Sequence, residues 1–117
     1  NPNHEPALFN LARVYQNREL WGKSNSILMK FLKIKGPNAS VYSAMGWNTL
    51  MSGELEESSK LYKKVLSFES KNREALINLA KINYSLGKLS ISESYIKRAL
   101  KLDLLESESV ELKKLLK

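Results

Sequence analysis

Gly53 and Gly87 stand 34 residues apart (87 − 53 = 34) in matching surroundings, and this interval restricts the fold more than any other feature of the chain. Both "LMSGELEES" and "SLGKLSIS" read as a helix end, a glycine, a polar residue, a leucine and a new helix. Stepping along the chain by the same interval aligns Leu11, Met45 and Leu79 in one column, and Ala12, Gly46 and Ala80 in the next. Further columns hold Trp21, Leu55 and Leu89; Ser24, Ser58 and Ser92; Leu28, Tyr62 and Ile96; Leu32, Leu66 and Leu100; and Ile34, Phe68 and Leu102. Large and small columns alternate, as two close-packed helices per unit require, because a small residue lets the facing helix approach to about 8–10 Å. The serine column is read the same way: small residues at a tight crossing, their hydroxyls bonding back to the helix carbonyl.

Helices are therefore expected near 6–18, 21–35, 39–52, 55–69, 73–86 and 89–103, with a last one from about 107. Pro6 suits a first helical turn, and Gly36-Pro37-Asn38 separates one unit from the next. A chain of 117 residues supports one domain, 1–117, divided into units of about 5–38, 39–72 and 73–106 and a C-terminal helix of about 107–117. The absence of cysteine excludes disulfide and thiol chemistry and leaves the compartment open. No apolar run approaches the roughly 18 residues that span a bilayer, so no membrane span is expected. The net charge of +7 is spread over many helical turns, as a solvated outer face would carry it.

The columns resemble the tetratricopeptide repeat, a 34-residue helix-turn-helix whose signature runs W-x-x-L-G, then Y, A, F, A and P. The third unit matches it through Leu76, Leu79, Ala80, Gly87, Leu89, Ser92, Ile96, Ala99 and Leu102-Asp103. The second matches through Tyr42, Met45, Gly46, Gly53, Leu55, Ser58, Tyr62, Val65 and Leu66. The first matches through Leu8, Leu11, Ala12, Tyr15, Trp21, Ser24, Leu28 and Phe31, but has Glu19 where the inter-helix glycine belongs, so its turn is expected to be distorted. The resemblance covers about nine-tenths of the chain. It implies an all-α fold, a right-handed solenoid of three repeats, plus a helix that either caps the array or begins a truncated fourth repeat. Leu112, Leu115 and Leu116 form its apolar stripe, and Lys113, Lys114 and Lys117 favour the cap.

Asn1-Pro2-Asn3 falls where the family places the D-P-N that closes a preceding repeat, so the chain is expected to be a fragment of a longer protein. Apolar end surfaces would then permit end-to-end self-association.

No nucleophile, acid/base pair or phosphate loop can be assembled, so neither enzyme, metal nor cofactor is expected. The single histidine, His4, lies in the N-terminal tail, and Glu56 and Glu57 diverge on a helix. Function must then come from a surface. In the resembled family the groove positions are the second, fifth, sixth, ninth, twelfth and thirteenth of each repeat. Carried over, these are Phe9, Asn10, Arg13, Gln16 and Asn17; Ser43, Ala44, Trp47, Leu50 and Met51; and Ile77, Asn78, Lys81, Tyr84 and Ser85.

Three rows follow: Arg13, Trp47, Lys81; Asn10, Ala44, Asn78; and Gln16, Leu50, Tyr84. They imply a protein or peptide partner, acidic or amphipathic, whose apolar side chain lies on Trp47, Leu50 and Met51. Its main chain would bond Asn10 and Asn78, and its acidic groups would meet Arg13 and Lys81. Some family members grip a C-terminal carboxylate with a Lys/Asn/Asn/Lys/Arg set; Phe9, Ala44 and Ile77 here argue against that clamp. Trp47 either faces a ligand, packs on a neighbouring first helix or is covered by flanking repeats of a longer array, whereas Trp21 is expected in the core. RNA binding is a competing reading prompted by the pI of about 9.6, but the cations are not concentrated at the groove positions. A purely structural segment of a larger array is the third.

Overall fold

The computed structural model describes residues 5–116, Glu5 by its backbone only. The readings made on Asn1-Pro2-Asn3, His4 and Lys117 lie outside the described residues. Seven helices succeed one another: α1 Glu5–Asn17, α2 Trp21–Lys35, α3 Ala39–Met51, α4 Leu55–Phe68, α5 Arg73–Ser85, α6 Leu89–Leu100 and α7 Glu106–Leu115. Helices α1 and α2, α3 and α4, and α5 and α6 form hairpins; α3 packs back on α2, α5 on α4, and α7 lies against both α5 and α6. The product is an all-α helical-repeat solenoid, elongated to 51 × 24 × 23 Å.

The turns explain the period. Gly53 and Gly87 adopt φ of +85° and +78°, a left-handed conformation that costs glycine nothing. Glu19 takes the same conformation at φ +58° and keeps the same hydrogen bonds: its N–H donates to Gln16 O and that of Leu20 to Tyr15 O, as Gly53 does to Leu50 and Glu54 to Thr49. The expected distortion is therefore absent. The backbone bonds and flanking helices hold a non-glycine residue in a strained φ instead of letting the turn change shape. Asparagines one period apart start the next units: Asn38 Oδ1 accepts from Val41 N and Asn72 Oδ1 from Ala75 N, each at 2.9 Å.

Each hairpin crosses at the same place. Ser24, Ser58 and Ser92, all buried, donate to the carbonyls of Ala12, Gly46 and Ala80 at 2.9, 2.8 and 2.7 Å. The acceptors lie on the facing helix, not on the serine's own, which corrects the back-bonding expected from sequence. A hydroxyl can reach across only where the facing residue is small, so the two small columns act together. In the second unit the fit is tightest: a Cβ on Gly46 would stand 3.0 Å from Cε2 and Cζ of Tyr62. Leu28 and Ile96 take the place of that ring opposite Ala12 and Ala80, so glycine is matched to the larger neighbour.

The core forms three clusters along the solenoid. Ala12, Leu28, Val41, Met45 and Leu61 join the first two units; Ala39, Tyr62, Val65, Ala75, Leu79 and Ile82 join the second and third. Leu112 of α7 closes the last cluster, with Leu76, Ile77, Ala80, Ile96 and Ala99. Trp21 is half-buried. Within one column Met45 and Leu79 are 7% and 0% exposed while Leu11 is 37%, because Met45 and Leu79 are covered by a preceding hairpin.

Two substitutions test this account. Gly46→Ala is expected to lower unfolding free energy by about 1–3 kcal/mol through overpacking against the Tyr62 ring, with Gly22→Ala as the unhindered control. Glu19→Gly is expected to raise stability by roughly 0.5 kcal/mol, the relief of left-handed strain less the added freedom of the unfolded chain. Urea midpoints read both; a stabilised Gly46→Ala protein would contradict the packing argument.

Candidate functional site

Helix α3 carries no charged residue, unlike its neighbours. The lysines gather on the second helices: Lys23, Lys30, Lys33 and Lys35 on α2, and Lys60, Lys63 and Lys64 on α4. One side of α3 is core. Its other side presents Ser40, Ser43, Ala44 and Trp47 to an open cleft of about 480 Å³, completed by Gln16 from α1, Ala39, and Glu69, Asn72 and Glu74 around the start of α5. Trp47 is 39% exposed there.

Ala39, Ser40 and Glu69 also border a second, more apolar cleft of about 610 Å³ lined by Pro6, Phe9, Phe31 and Asn38. The Phe9 and Phe31 rings meet edge to face with centroids 5.7 Å apart. A third cleft of about 420 Å³ lies between α5 and α7, lined by Lys81, Tyr84, Ser85, Glu111, Lys114 and Leu115.

The residues singled out from sequence are thus distributed over several surroundings. Gln16, Ser43, Ala44 and Trp47 share the first cleft, Phe9 belongs to the second, and Lys81, Tyr84 and Ser85 to the third. Asn10, Arg13 and Asn17 are exposed along α1, and Met51 is exposed at the end of α3. Leu50 is half-buried against the second-unit core. Ile77 is 7% exposed, because α7 covers it, and offers no surface to a ligand. Ser40 and Glu74, like Pro6, occupy the second position of their units, a position the resemblance assigns to the groove. Glu69 and Asn72 come from the turn before α5, which no helical period marks.

Several polar groups are already engaged. Lys81 Nζ pairs with Glu111 Oε2 at 3.0 Å, which ties α5 to α7. Gln16 Nε2 donates to Asn48 Oδ1 at 2.8 Å, and Asn48 Nδ2 donates to Ser24 Oγ at 2.9 Å and Asn25 Oδ1 at 2.8 Å. This satisfies the fully buried Asn48 amide and fixes the Gln16 side of the cleft. Behind the cleft, Tyr62 Oη donates to Glu74 Oε2 and accepts from Asn78 Nδ2, both at 3.0 Å. Burial, then the Glu74 charge and hydrogen bond, push the Tyr62 pKa well above the ordinary tyrosine value, and the Asn78 bond opposes them. The hydroxyl therefore stays protonated and holds the Glu74 carboxylate in place.

A repeating helical hairpin with alternating small and large columns and a cleft along its first helices is the architecture of tetratricopeptide repeat domains, and this chain has that fold. Among solved structures, the second TPR domain of human RPAP3 in complex with the HSP70 peptide SGPTIEEVD superposes with a TM-score of 0.85 at 16% identity, covering 100% of this chain and 99% of that one. The first TPR of Spaghetti (RPAP3) bound to the HSP90 peptide SRMEEVD gives 0.85 at 12% identity over 98% and 92%. MamA gives 0.80 at 17% identity over 88% of this chain and 60% of that one, so this chain spans less than two thirds of that protein's length. At such identities the likeness establishes the fold. No family model matches the sequence, and no curated protein matches it.

The tyrosine link has a pH signature. Because the raised pKa favours the protonated phenol in the folded state, its contribution is fully present below the unfolded pKa of about 10 and is lost as pH rises above it. The fall in thermal midpoint between pH 9 and pH 11 should be smaller for Tyr62→Phe than for the wild-type protein. Equal slopes would detach Tyr62 from the alkaline transition.

Proposed function

We propose that the chain is a non-enzymatic interaction module that binds a peptide or protein segment along the cleft of its first helices, with Trp47 as the central anchor. The observation that carries this reading is a 39% exposed indole on an uncharged helix, in a cleft rimmed by Ser40, Ser43 and Gln16. Large aromatics set among polar groups are what interfaces concentrate. Peptide complexes of two domains with this fold support it. Phe9, Ala44 and the covered Ile77 stand where a carboxylate clamp would need donors, so the ligand is distinguished from those peptides by its chemistry. An RNA ligand is disfavoured because the lysines are concentrated on α2 and α4, while the Trp47 cleft is lined by no lysine or arginine.

Trp47→Ala should leave the far-UV circular dichroism spectrum unchanged and abolish capture of the partner in a cross-linked pull-down. Capture by the wild-type protein should persist at 0.5 M salt, whereas a nucleic-acid ligand would be lost steeply. Loss of helicity in the variant would return Trp47 to the fold.

A second proposal rests on the uncovered Leu11 and on Val14, 42% exposed in the column where Asn48 and Ile82 are buried: this edge permits end-to-end self-association. Light scattering at high protein concentration reads it, and a purely monomeric mass removes it.

A further inference from the structure

We infer that the cleft beside Trp47 receives a cationic side chain, a lysine or arginine of the bound segment, with an apolar residue of the same segment in the adjoining Phe9–Phe31 compartment. The inference rests on the groove reading above and assigns the ligand's chemistry.

The charges carry the argument. Although the chain as a whole is +7, the ionisable residues lining the Trp47 cleft are Glu69 and Glu74, with no lysine or arginine among them. Among the described residues neither carboxylate is in an ion pair; the pairs are Arg73 with Glu108, Lys81 with Glu111 and Lys97 with Glu93. Each is instead held by a neutral donor: Glu74 by the Tyr62 hydroxyl at 3.0 Å, Glu69 by Asn72 Nδ2 at 2.9 Å. A carboxylate has about four acceptor positions, so one such bond orients it and leaves it able to bind a cation.

Trp47 adds an aromatic face, the best partner for a cation–π contact. Lys71 and Arg73 belong to the same segment as Glu69 and Glu74 but do not line the cleft, and Arg73 pairs with Glu108. A ligand in the cleft therefore meets the two carboxylates directly, while the screening length of about 8 Å at physiological salt weakens the more distant lysines. An acidic side chain there would meet like charge. Lys81, which the sequence reading offered to acidic groups, is occupied by Glu111.

The second requirement comes from continuity. The apolar compartment shares Ala39, Ser40 and Glu69 with the acidic one, so a single extended segment crosses both. Pro6, Phe9 and Phe31 then accept an aliphatic or aromatic side chain next to the cation.

The test is selection of a display library of random 12-residue peptides against the intact chain and against the Glu69→Gln/Glu74→Gln double variant. Retained circular dichroism and thermal midpoint certify the variant's fold. Binders to the wild-type protein should be enriched in Lys or Arg beside an apolar residue and should shift the Trp47 indole N–H resonance. They should lose roughly tenfold or more in affinity for the double variant, as expected when charge-assisted hydrogen bonds are removed. Acidic or uncharged binders that shift Trp47 would overturn the cationic assignment and leave the groove reading standing. Cationic binders unaffected by the double variant would also overturn it. A library yielding no peptide that shifts Trp47 would overturn both.

Discussion

Everything in this fold depends on a crossing made three times, in which a buried serine hydroxyl of the second helix donates to the carbonyl of a small residue on the first. The bond requires the helices to be close, closeness requires Ala12, Gly46 and Ala80 to be small, and smallness frees the space that Leu28, Tyr62 and Ile96 fill. A hydroxyl unsatisfied at such a site would cost about 1–3 kcal/mol, so the register of each hairpin is fixed as firmly as its contact.

From that crossing the site follows. Gly46 admits the Tyr62 ring, and the ring's hydroxyl reaches α5, where it orients Glu74 and is itself oriented by Asn78. Glu74 thereby becomes a fixed charge on the cleft that Trp47 borders. Gly46 and Trp47, adjacent in sequence, point to opposite consequences: one sets the depth of the hairpin, the other is left on the surface that the hairpin shapes. The Asn48 amide does similar work on the far side, binding Gln16, Ser24 and Asn25 so that the first two units meet in one register.

Much of the fold was legible because a 34-residue period constrains every column at once. Helix starts, the turn glycines and the small-large alternation each repeat, and errors in one unit are corrected by the others. What repetition could not convey were departures from it. Glu19 breaks the glycine column, yet its turn keeps the shared hydrogen bonds, because backbone geometry is set by both flanking helices and not by one residue. Ile77 falls on a groove position by period, yet α7 covers it, and α7 itself lies off the period. The groove positions read as flanked by Arg13 and Lys81; Arg13 stays exposed on α1, whereas Lys81 pairs with Glu111, a partner 30 residues away that no period reveals.

The sequence by itself determined the architecture: seven helical segments, their hairpin pairing and the small columns at their crossings. Periodic burial needs only local spacing, and spacing is written in the chain. The tertiary structure alone decided the character of the cleft. Glu69 and Asn72 come from an inter-helix turn, Glu74 is aimed by a tyrosine of the preceding helix, and Lys81 is drawn away by α7. Electrostatics depends on distances between groups remote in sequence, and no period encodes those distances.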